Sequence, residues 1–167
     1  MDRENLKSKI ASWSTEIEFS AEAVLADEEA GIKASHGTQF LEVIIKPNQL
    51  LDFATKLRNE ADMLFDFMFS LTCVDFPDHL MMVYHLRSIE HKHELVLKVK
   101  IENKEKSEVE TLCHLWRTAE YHEREVYDLF GVVFNNHPDL RRILLDEEWV
   151  GYPLRKDYVD PVNMISL

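Results

Sequence analysis

Residues 121–158 read YHEREVYDLFGVVFNNHPDLRRILLDEEWVGYPLRKDY, and they concentrate charge and turn-forming residues more than any other stretch of the chain. Charged side chains come first, at Glu123, Arg124, Glu125 and Asp128. Glycines, prolines and basic pairs follow at Gly131, Pro138, Gly151, Pro153, Arg141-Arg142 and Arg155-Lys156. Because glycine and proline interrupt regular secondary structure, the stretch predicts a short charged helix followed by an irregular segment.

The first part of this stretch predicts a helix from about residue 118 to residue 130. Val126, Leu129 and Phe130 fall on one helical face. Arg124 and Asp128 stand one turn apart on the opposite side, at a spacing that favours an ion pair. Gly131 is well placed to end the helix, because glycine readily adopts the left-handed conformation found at helix C-termini.

Past residue 134 the sequence is too irregular for a long helix and too apolar for a solvated tail. A large apolar side chain stabilises a fold by about 1.5–3 kcal/mol when it is buried. We therefore expect this segment to lie along a surface, either of its own domain or of a partner. Arginine forks at Arg141, Arg142 and Arg155 would fix it there through bidentate contacts with carboxylates. The apolar residues concerned are Ile143, Leu144, Leu145, Trp149, Val150 and Leu154.

Upstream of this stretch, helical and strand patterns alternate. Strands are predicted around 17–19 and at 40–45, 63–74, 80–88 and 94–101. Helices are predicted at 5–13, 47–58 and 110–116, the last preceded by a capping-box pattern of Ser107 and Glu110. This order predicts an α+β fold: a mixed β-sheet with helices packed on one face, followed by a long irregular C-terminal docking tail.

Three units are expected along the chain. An N-terminal helix with an acidic, mobile lead-in covers residues 1–38, the α+β domain covers 39–134, and the extended tail covers 135–167. The composition suits one globular domain with an appendage, since 46% of the 167 residues are apolar and only four are glycine and five proline. The unit boundaries rest on these changes in composition and periodicity.

Charge and cysteine usage exclude several classes of protein. A net charge of −12 disfavours nucleic acid or an anionic membrane as the main partner. Cys73 and Cys113 are the only cysteines, too few for a four-cysteine iron–sulfur site, and they predict free buried thiols in a reducing compartment. No signal peptide is visible, and no apolar run approaches the roughly 20 residues that span a bilayer, so we expect no direct membrane span.

Candidate catalytic and metal-binding residues are few. Glu123, Glu125 and Asp128 offer carboxylates that could divide acid and base roles, but a charged helix face is the simpler interpretation. His91 and His93 stand two apart, as a metal pair would on a strand, but no third ligand is indicated. Because no phosphate loop, G-x-G-x-x-G or G-x-S-x-G is present, the sequence predicts no catalytic, cofactor-binding or metal residue.

The charged stretch resembles the C subunit, or 30 kDa subunit, of the proton-pumping NADH–quinone oxidoreductase, respiratory complex I. The family pattern has E-R-E, an acid after two more positions, two apolar residues, a histidine after six more, then a basic residue and two apolar ones. The matching residues are Glu123-Arg124-Glu125, Asp128, Leu129-Phe130, His137, Arg141 and Ile143-Leu144. The elements PDLRRIL and G-x-P-L-R-K-D-[YF] appear as Pro138–Leu144, with Asp139 and Arg142, and as Gly151–Tyr158, with Pro153, Arg155, Lys156, Asp157 and Tyr158.

The resemblance implies a non-catalytic structural or assembly subunit of the peripheral arm, on the cytoplasmic side of the inner cell membrane. The complex is an oxidoreductase and translocase of the respiratory chain, whereas the isolated chain is expected to have no activity. FMN, iron–sulfur clusters and quinone would lie in partner subunits. The tail would dock on the D subunit, which forms the quinone site, near the cluster-bearing B and I subunits. The matched residues would then brace the tail or make inter-subunit contacts.

Two alternatives stay open. The first is the equivalent subunit of a related membrane-bound hydrogenase or of another donor:quinone oxidoreductase, because the same fold and tail are expected there. The second is a stand-alone hydrolase that uses Glu123 and Asp128, which would need a cleft and a raised carboxylate pKa.

Overall fold

A computed structural model describes residues 3–13, 17–19 and 40–160. The helices are α1 (Arg3–Ala11), α2 (Leu50–Asn59) and α3 (Ala119–Phe130), with a 3-10 turn at Pro47–Gln49 leading into α2. The strands are β1 (Glu18–Phe19), β2 (Leu41–Ile45), β3 (Phe67–Asp75), β4 (Leu80–Arg87), β5 (Glu94–Ile101), β6 (Glu108–Glu110) and β7 (Val133–Asn135). The predicted helices at 5–13, 47–58 and 118–130 and the predicted strands at 17–19, 40–45, 80–88 and 94–101 are thereby confirmed.

Five strands form one mixed sheet in the order β1-β2-β5-β4-β3. β2 and β5 run parallel, while the other neighbouring strands run antiparallel. A second, two-stranded sheet joins β6 to β7 in parallel. This arrangement confirms the α+β class and the mixed sheet predicted from the order of the elements.

One face of the large sheet forms the core. Across β2, β5 and β4, Val43 stands opposite Leu97, which stands opposite Tyr84, and all three are fully buried. The same hydrophobic cluster takes in side chains from all three helices, such as Leu6 of α1, Leu57 of α2 and Val126 of α3. The helices therefore pack on one face of the sheet, as predicted.

Two predicted elements differ from the structure. The strand predicted over 63–74 begins only at Phe67, because Leu64 has a positive φ of 41° and Phe65 turns its carbonyl to the Trp116 indole N–H at 2.8 Å. The helix predicted at 110–116 is wrong, since the chain forms strand β6 there and turns afterwards. Ser107 caps no helix; its hydroxyl donates to the Gly131 carbonyl at 3.1 Å.

Beyond β7, the described residues 136–160 contain turns and bends but no helix or strand, as the irregular pattern predicted. The lead-in expected to be mobile falls on 20–39, outside the described residues. The unit boundaries after residues 38 and 134 stay predictions. None of the helices in the described ranges is long and apolar enough to cross a membrane.

Candidate functional site

Three charged side chains of α3 are buried, and they organise the tail. Glu123 and Asp128 are fully buried, and Arg124 is nearly so. Neighbouring Glu125 is exposed, so the E-R-E segment points two side chains inward and one outward. A buried charge is tolerated only where it is paired and hydrogen-bonded. The partners of these three side chains therefore define the site.

Asp128 binds a turn of the tail. Its Oδ2 accepts hydrogen bonds from the backbone N–H groups of Ile143, Leu144 and Leu145 at 3.0, 2.7 and 3.0 Å. Its Oδ1 accepts from Arg142 Nη1 at 2.7 Å. Burial alone would raise the pKa of Asp128, but these donors outweigh it and hold the pKa below its ordinary value. The carboxylate is thus the charged centre around which residues 142–145 fold.

Arg142 ties this turn to a later part of the tail. Besides binding Asp128, its guanidinium donates to the carbonyls of Trp149 and Gly151 at 3.1 and 3.2 Å, and it lies 5.5 Å from the centre of the Tyr152 ring. The fork geometry of arginine suits such a set of acceptors. The fork predicted to bind carboxylates of its own domain or of a partner is thus engaged inside this chain.

Arg155 makes a second attachment. Its Nε donates to the Phe130 carbonyl at 2.5 Å, its Nη2 to the Ser107 hydroxyl at 3.2 Å, and it lies 5.1 Å from the Tyr152 ring centre. Phe130 is the last residue of α3, where carbonyls lack helical partners. Gly131 follows with φ 72°, and a side chain there would collide with the Tyr152 ring. The tail therefore packs against the C-terminal end of α3.

Arg124 also binds the tail, besides lying 5.8 Å from the centre of the Tyr121 ring in its own helix. It donates to the carbonyls of Arg141 and Arg142 at 3.2 and 3.3 Å, and its Nη1 lies 3.9 Å from Asp139 Oδ2. The predicted ion pair between Arg124 and Asp128 is wrong, because each side chain takes its partners from the tail. Helical spacing alone does not show this, since the partners lie 14–18 residues further along the chain.

Asp75, at the end of β3, holds the last part of the described tail. Its Oδ2 accepts the backbone N–H of Lys156 at 2.7 Å, and its Oδ1 lies 2.5 Å from Lys104 Nζ. Burial would raise the pKa of Asp75, but Lys104 and the Lys156 N–H lower it overall. Sequence reasoning missed this residue. Its only signal was an acid at the end of an apolar strand.

Glu123 binds the segment between β6 and α3. It accepts hydrogen bonds from the Thr111 hydroxyl at 2.5 Å and the Leu112 N–H at 2.8 Å, and the Cys113 thiol lies 3.4 Å away. Burial raises the pKa of Glu123 despite these donors. Burial also raises the pKa of Cys113 to about 12, so its thiol stays protonated at neutral pH.

His137 completes a partly buried cluster whose ligand atoms, from Cys113, Glu123 and His137, all lie within 4.8 Å of one another. Its Nδ1 accepts the Asp139 backbone N–H at 3.0 Å, and its Nε2 faces the Glu120 carbonyl at 3.0 Å. The neutral ring must then carry its proton on Nε2, the atom that faces the cluster. A metal needs a lone pair there and a thiolate on the cysteine. In the structure the cluster is joined by hydrogen bonds, and a metal would have to displace the protons on His137 Nε2 and the Cys113 thiol.

Other candidate metal-binding and catalytic residues also form hydrogen bonds within the chain. His91 and His93 stack with ring centres 5.5 Å apart, but their Nε2 atoms face the carbonyls of Ala61 and Met63 at 2.9 and 2.6 Å. Each Nε2 is therefore a donor to the loop before β3. Glu123 and Asp128, the two carboxylates of the hydrolase alternative, accept hydrogen bonds from separate sets of donors. The structure therefore does not bring them together.

The remaining predicted site residues lie mostly on the surface. Pro138, Asp139, Arg141, Lys156 and Asp157 are exposed, and Arg141 pairs with Asp139 at 3.0 Å. Leu145 and Trp149 are half-buried, whereas five apolar side chains of the tail are exposed, as far as 87% for Val150. This group comprises Ile143, Leu144, Val150, Leu154 and Val159. The anchored tail thus turns these five aliphatic side chains outward, while the guanidinium groups of Arg142 and Arg155 face inward.

The chain is similar to a known protein family and to several known proteins. The family described as "Respiratory-chain NADH dehydrogenase, 30 Kd subunit" matches residues 43–162. The C subunit of the NADH-quinone oxidoreductase from Roseiflexus castenholzii is 40% identical over 139 residues, which cover 81% of this chain and 78% of that protein. The C/D subunit of the NADH-quinone oxidoreductase from Phocaeicola vulgatus is 40% identical over 124 residues, covering 74% of this chain but only 24% of that protein.

A solved structure shares the fold. A chain in the structure of the membrane-bound sulfane sulfur reductase, described as an archaeal respiratory membrane complex, superposes with a TM-score of 0.72 at 26% identity. The match covers 95% of this chain and 86% of that chain. With the family match extending over most of the domain and the tail, the chain belongs to the family of the 30 kDa subunit of respiratory-chain NADH dehydrogenase.

Proposed function

We propose that this chain is the C subunit of a proton-pumping NADH–quinone oxidoreductase and that it supports the quinone-reducing module without carrying a redox centre. One observation carries the docking role: a tail fixed by buried charges holds Leu144, Val150 and Leu154 out in solvent. Aliphatic side chains on an ordered surface segment lose stabilisation unless a partner covers them. FMN, iron–sulfur clusters and quinone would be bound by the partner subunits.

The favoured partner is the D subunit, which would form the quinone site. Its support is the Phocaeicola vulgatus relative, in which the part similar to this chain belongs to a protein whose name joins the letters C and D. A fused pair keeps its two parts at high effective concentration, which is typical of parts that work together. The B and I subunits complete the proposed surroundings of the tail. The site of action would be the cytoplasmic side of the inner cell membrane.

A second candidate is the equivalent subunit of a respiratory complex with another electron donor. The structural match to a chain of the sulfane sulfur reductase complex favours it. Both candidates give this chain the same docking role, and they differ in the donor-binding partners.

Purification of the tagged chain from mildly solubilised membranes, followed by native mass spectrometry, tests the proposal. Recovery with a quinone-site subunit, cluster-bearing chains and an NADH-binding flavoprotein is expected. Recovery with hydrogenase or other donor-binding chains would favour the second candidate. A lone monomer, or purified chain that alone reduces quinone with NADH, would contradict both.

Substitution in the tail sharpens the test. Val150→Asp places a charge where a partner is expected, so recovery of the partners should fall by about tenfold or more, because burying an unpaired charge is costly. The matched control is Ile89→Asp, at a position 62% exposed in the turn between β4 and β5. Equal recovery with both variants would contradict docking through the tail.

A further inference from the structure

The face of the large sheet opposite the core carries a row of aromatic rings. Phe67 and Phe69 of β3 are 41% and 40% exposed, with ring centres 6.2 Å apart. Phe69 lies 5.5 Å from the His85 ring of β4, and His85 lies 6.4 Å from Phe40, just before β2. We call these four rings the aromatic row. It crosses the sheet over Val96 of β5, which faces the same way as His85 and is only 3% exposed.

A β-bulge builds this row. The pairing of β3 with β4 shifts register between Met68 and Ser70, so Phe69 has no residue opposite it. Met68 before the shift and Leu71 after it both face the core. The bulge therefore inserts one extra outward residue, and that residue is a phenylalanine. Bulges commonly re-aim a side chain at a functional surface, and an exposed large aromatic is the side chain enriched at protein interfaces.

The charges beside the row cancel within the chain. Lys98 Nζ lies 2.6 Å from Glu42 Oε2, and Arg87 Nε lies 3.4 Å from Glu94 Oε1. The whole chain, by contrast, has a net charge of −12. A second copy of the chain would bring this charge against itself, which disfavours self-association. A neutral, aromatic surface is instead complementary to an uncharged apolar face of a different protein.

The aromatic row and the tail lie on different sides of the molecule. The tail is bound to α3, which packs on the core face, and the row lies on the opposite face of the sheet. β3 connects the two, since Phe67 and Phe69 lie near its beginning and Asp75 binds Lys156 of the tail at its end. A neighbour on each surface would leave this chain as a bridge between them.

We propose that the aromatic row is a second docking surface, which binds an uncharged apolar face of another subunit of the same complex. This inference rests on the proposed function, and it adds a partner contact separate from the tail. Phe69 would be its centre, because the bulge presents it between Phe67 and His85.

The test is site-specific photo-crosslinking in the assembled complex. A benzophenone amino acid replaces Phe69, and the matched control places the same probe at Glu105, an exposed residue in the turn after β5. After irradiation of the purified complex, a covalent adduct between position 69 and a different subunit is expected, at least about tenfold more abundant than at position 105. Mass spectrometry identifies the attached peptide, which should be apolar and uncharged.

Four results would overturn the inference. These are an adduct to another segment of the same chain, an adduct between two copies, an adduct equally abundant at position 105, and no adduct while the complex is intact. A different result would contradict the proposed function instead: neither the probe-bearing chain nor the unmodified chain purifies with any oxidoreductase subunit. A second variant, Phe67→Ser with Phe69→Ser, should lower recovery of the row's partner while the tail's partner is retained.

Discussion

The domain and the tail are held together by opposite means. In the sheet, Val43, Leu97 and Tyr84 pack against one another and exclude water. In the tail, Asp128 of α3 and Arg142 satisfy backbone N–H groups and carbonyls, while five aliphatic side chains face out. Charged side chains can thus order an irregular segment that lacks the backbone hydrogen bonds of a helix or a strand. The apolar side chains are thereby left available to a partner.

The largest difference in protease resistance between the domain and the tail is expected when the Asp128 carboxylate is removed. Asp128→Ala removes the acceptor for three N–H groups and leaves Arg142 without its charge partner. Breaking a buried pair in this way costs about 3–5 kcal/mol. We expect limited proteolysis to cut within residues 142–158 while the sheet stays resistant. Glu125→Ala on the same helix is exposed and should leave the tail protected; equal cutting of both variants would contradict the charge-anchored tail.

A smaller effect is expected where the tail contacts the end of α3. Gly131→Ala adds a Cβ at φ 72° and against the Tyr152 ring. Backbone strain and overpacking together should cost about 2–4 kcal/mol, measured by urea unfolding. In a Tyr152→Ala background the collision is absent but the strain remains, so Gly131→Ala should cost less there than in the wild-type chain. An equal cost of Gly131→Ala in both backgrounds would contradict the position of the ring.

The smallest expected effect is a difference between Asp128 and Glu123 in how their contributions to stability depend on pH. The pKa of Asp128 is lowered on folding, so its contribution to stability is present above its ordinary pKa and is lost below about pH 4. The pKa of Glu123 is raised, so its contribution is largest below its ordinary pKa and declines as the pH rises through the folded value. Glu123→Gln should therefore abolish that decline in urea midpoints measured between pH 4 and pH 8. An unchanged slope would contradict the raised pKa.

Local patterns were enough to predict much of the fold. The alternation in 94–101 correctly placed Leu95, Leu97, Val99 and Ile101 on the core face. Val96 was predicted to point the other way, and it does, yet it is buried because the aromatic row crosses above it. Periodicity thus predicts the direction of a side chain, but its burial also depends on neighbours in other strands.

Long-range partners explain what the sequence could not show. The capping-box pattern of Ser107 and Glu110 predicted a helix, but β6 pairs with β7 about 25 residues later. The sequence predicted that the arginine forks bind carboxylates of the chain's own domain or of a partner, and the family resemblance implied contacts with other subunits. Their acceptors are carbonyls and carboxylates of this chain, and only the folded geometry brings those groups within reach. The family motif picked out the arginines, but it did not show whether their side chains point into this chain or toward a partner.

The contact between Lys156 and Asp75 joins positions 81 residues apart. During synthesis the ribosome releases β3 and α3 well before residue 156, so the anchors exist before the tail emerges. The tail can close only onto a domain whose strand and helix are already in place, because its binding groups come from both. The fixed arrangement of the outward aliphatic side chains therefore depends on a domain that has already folded.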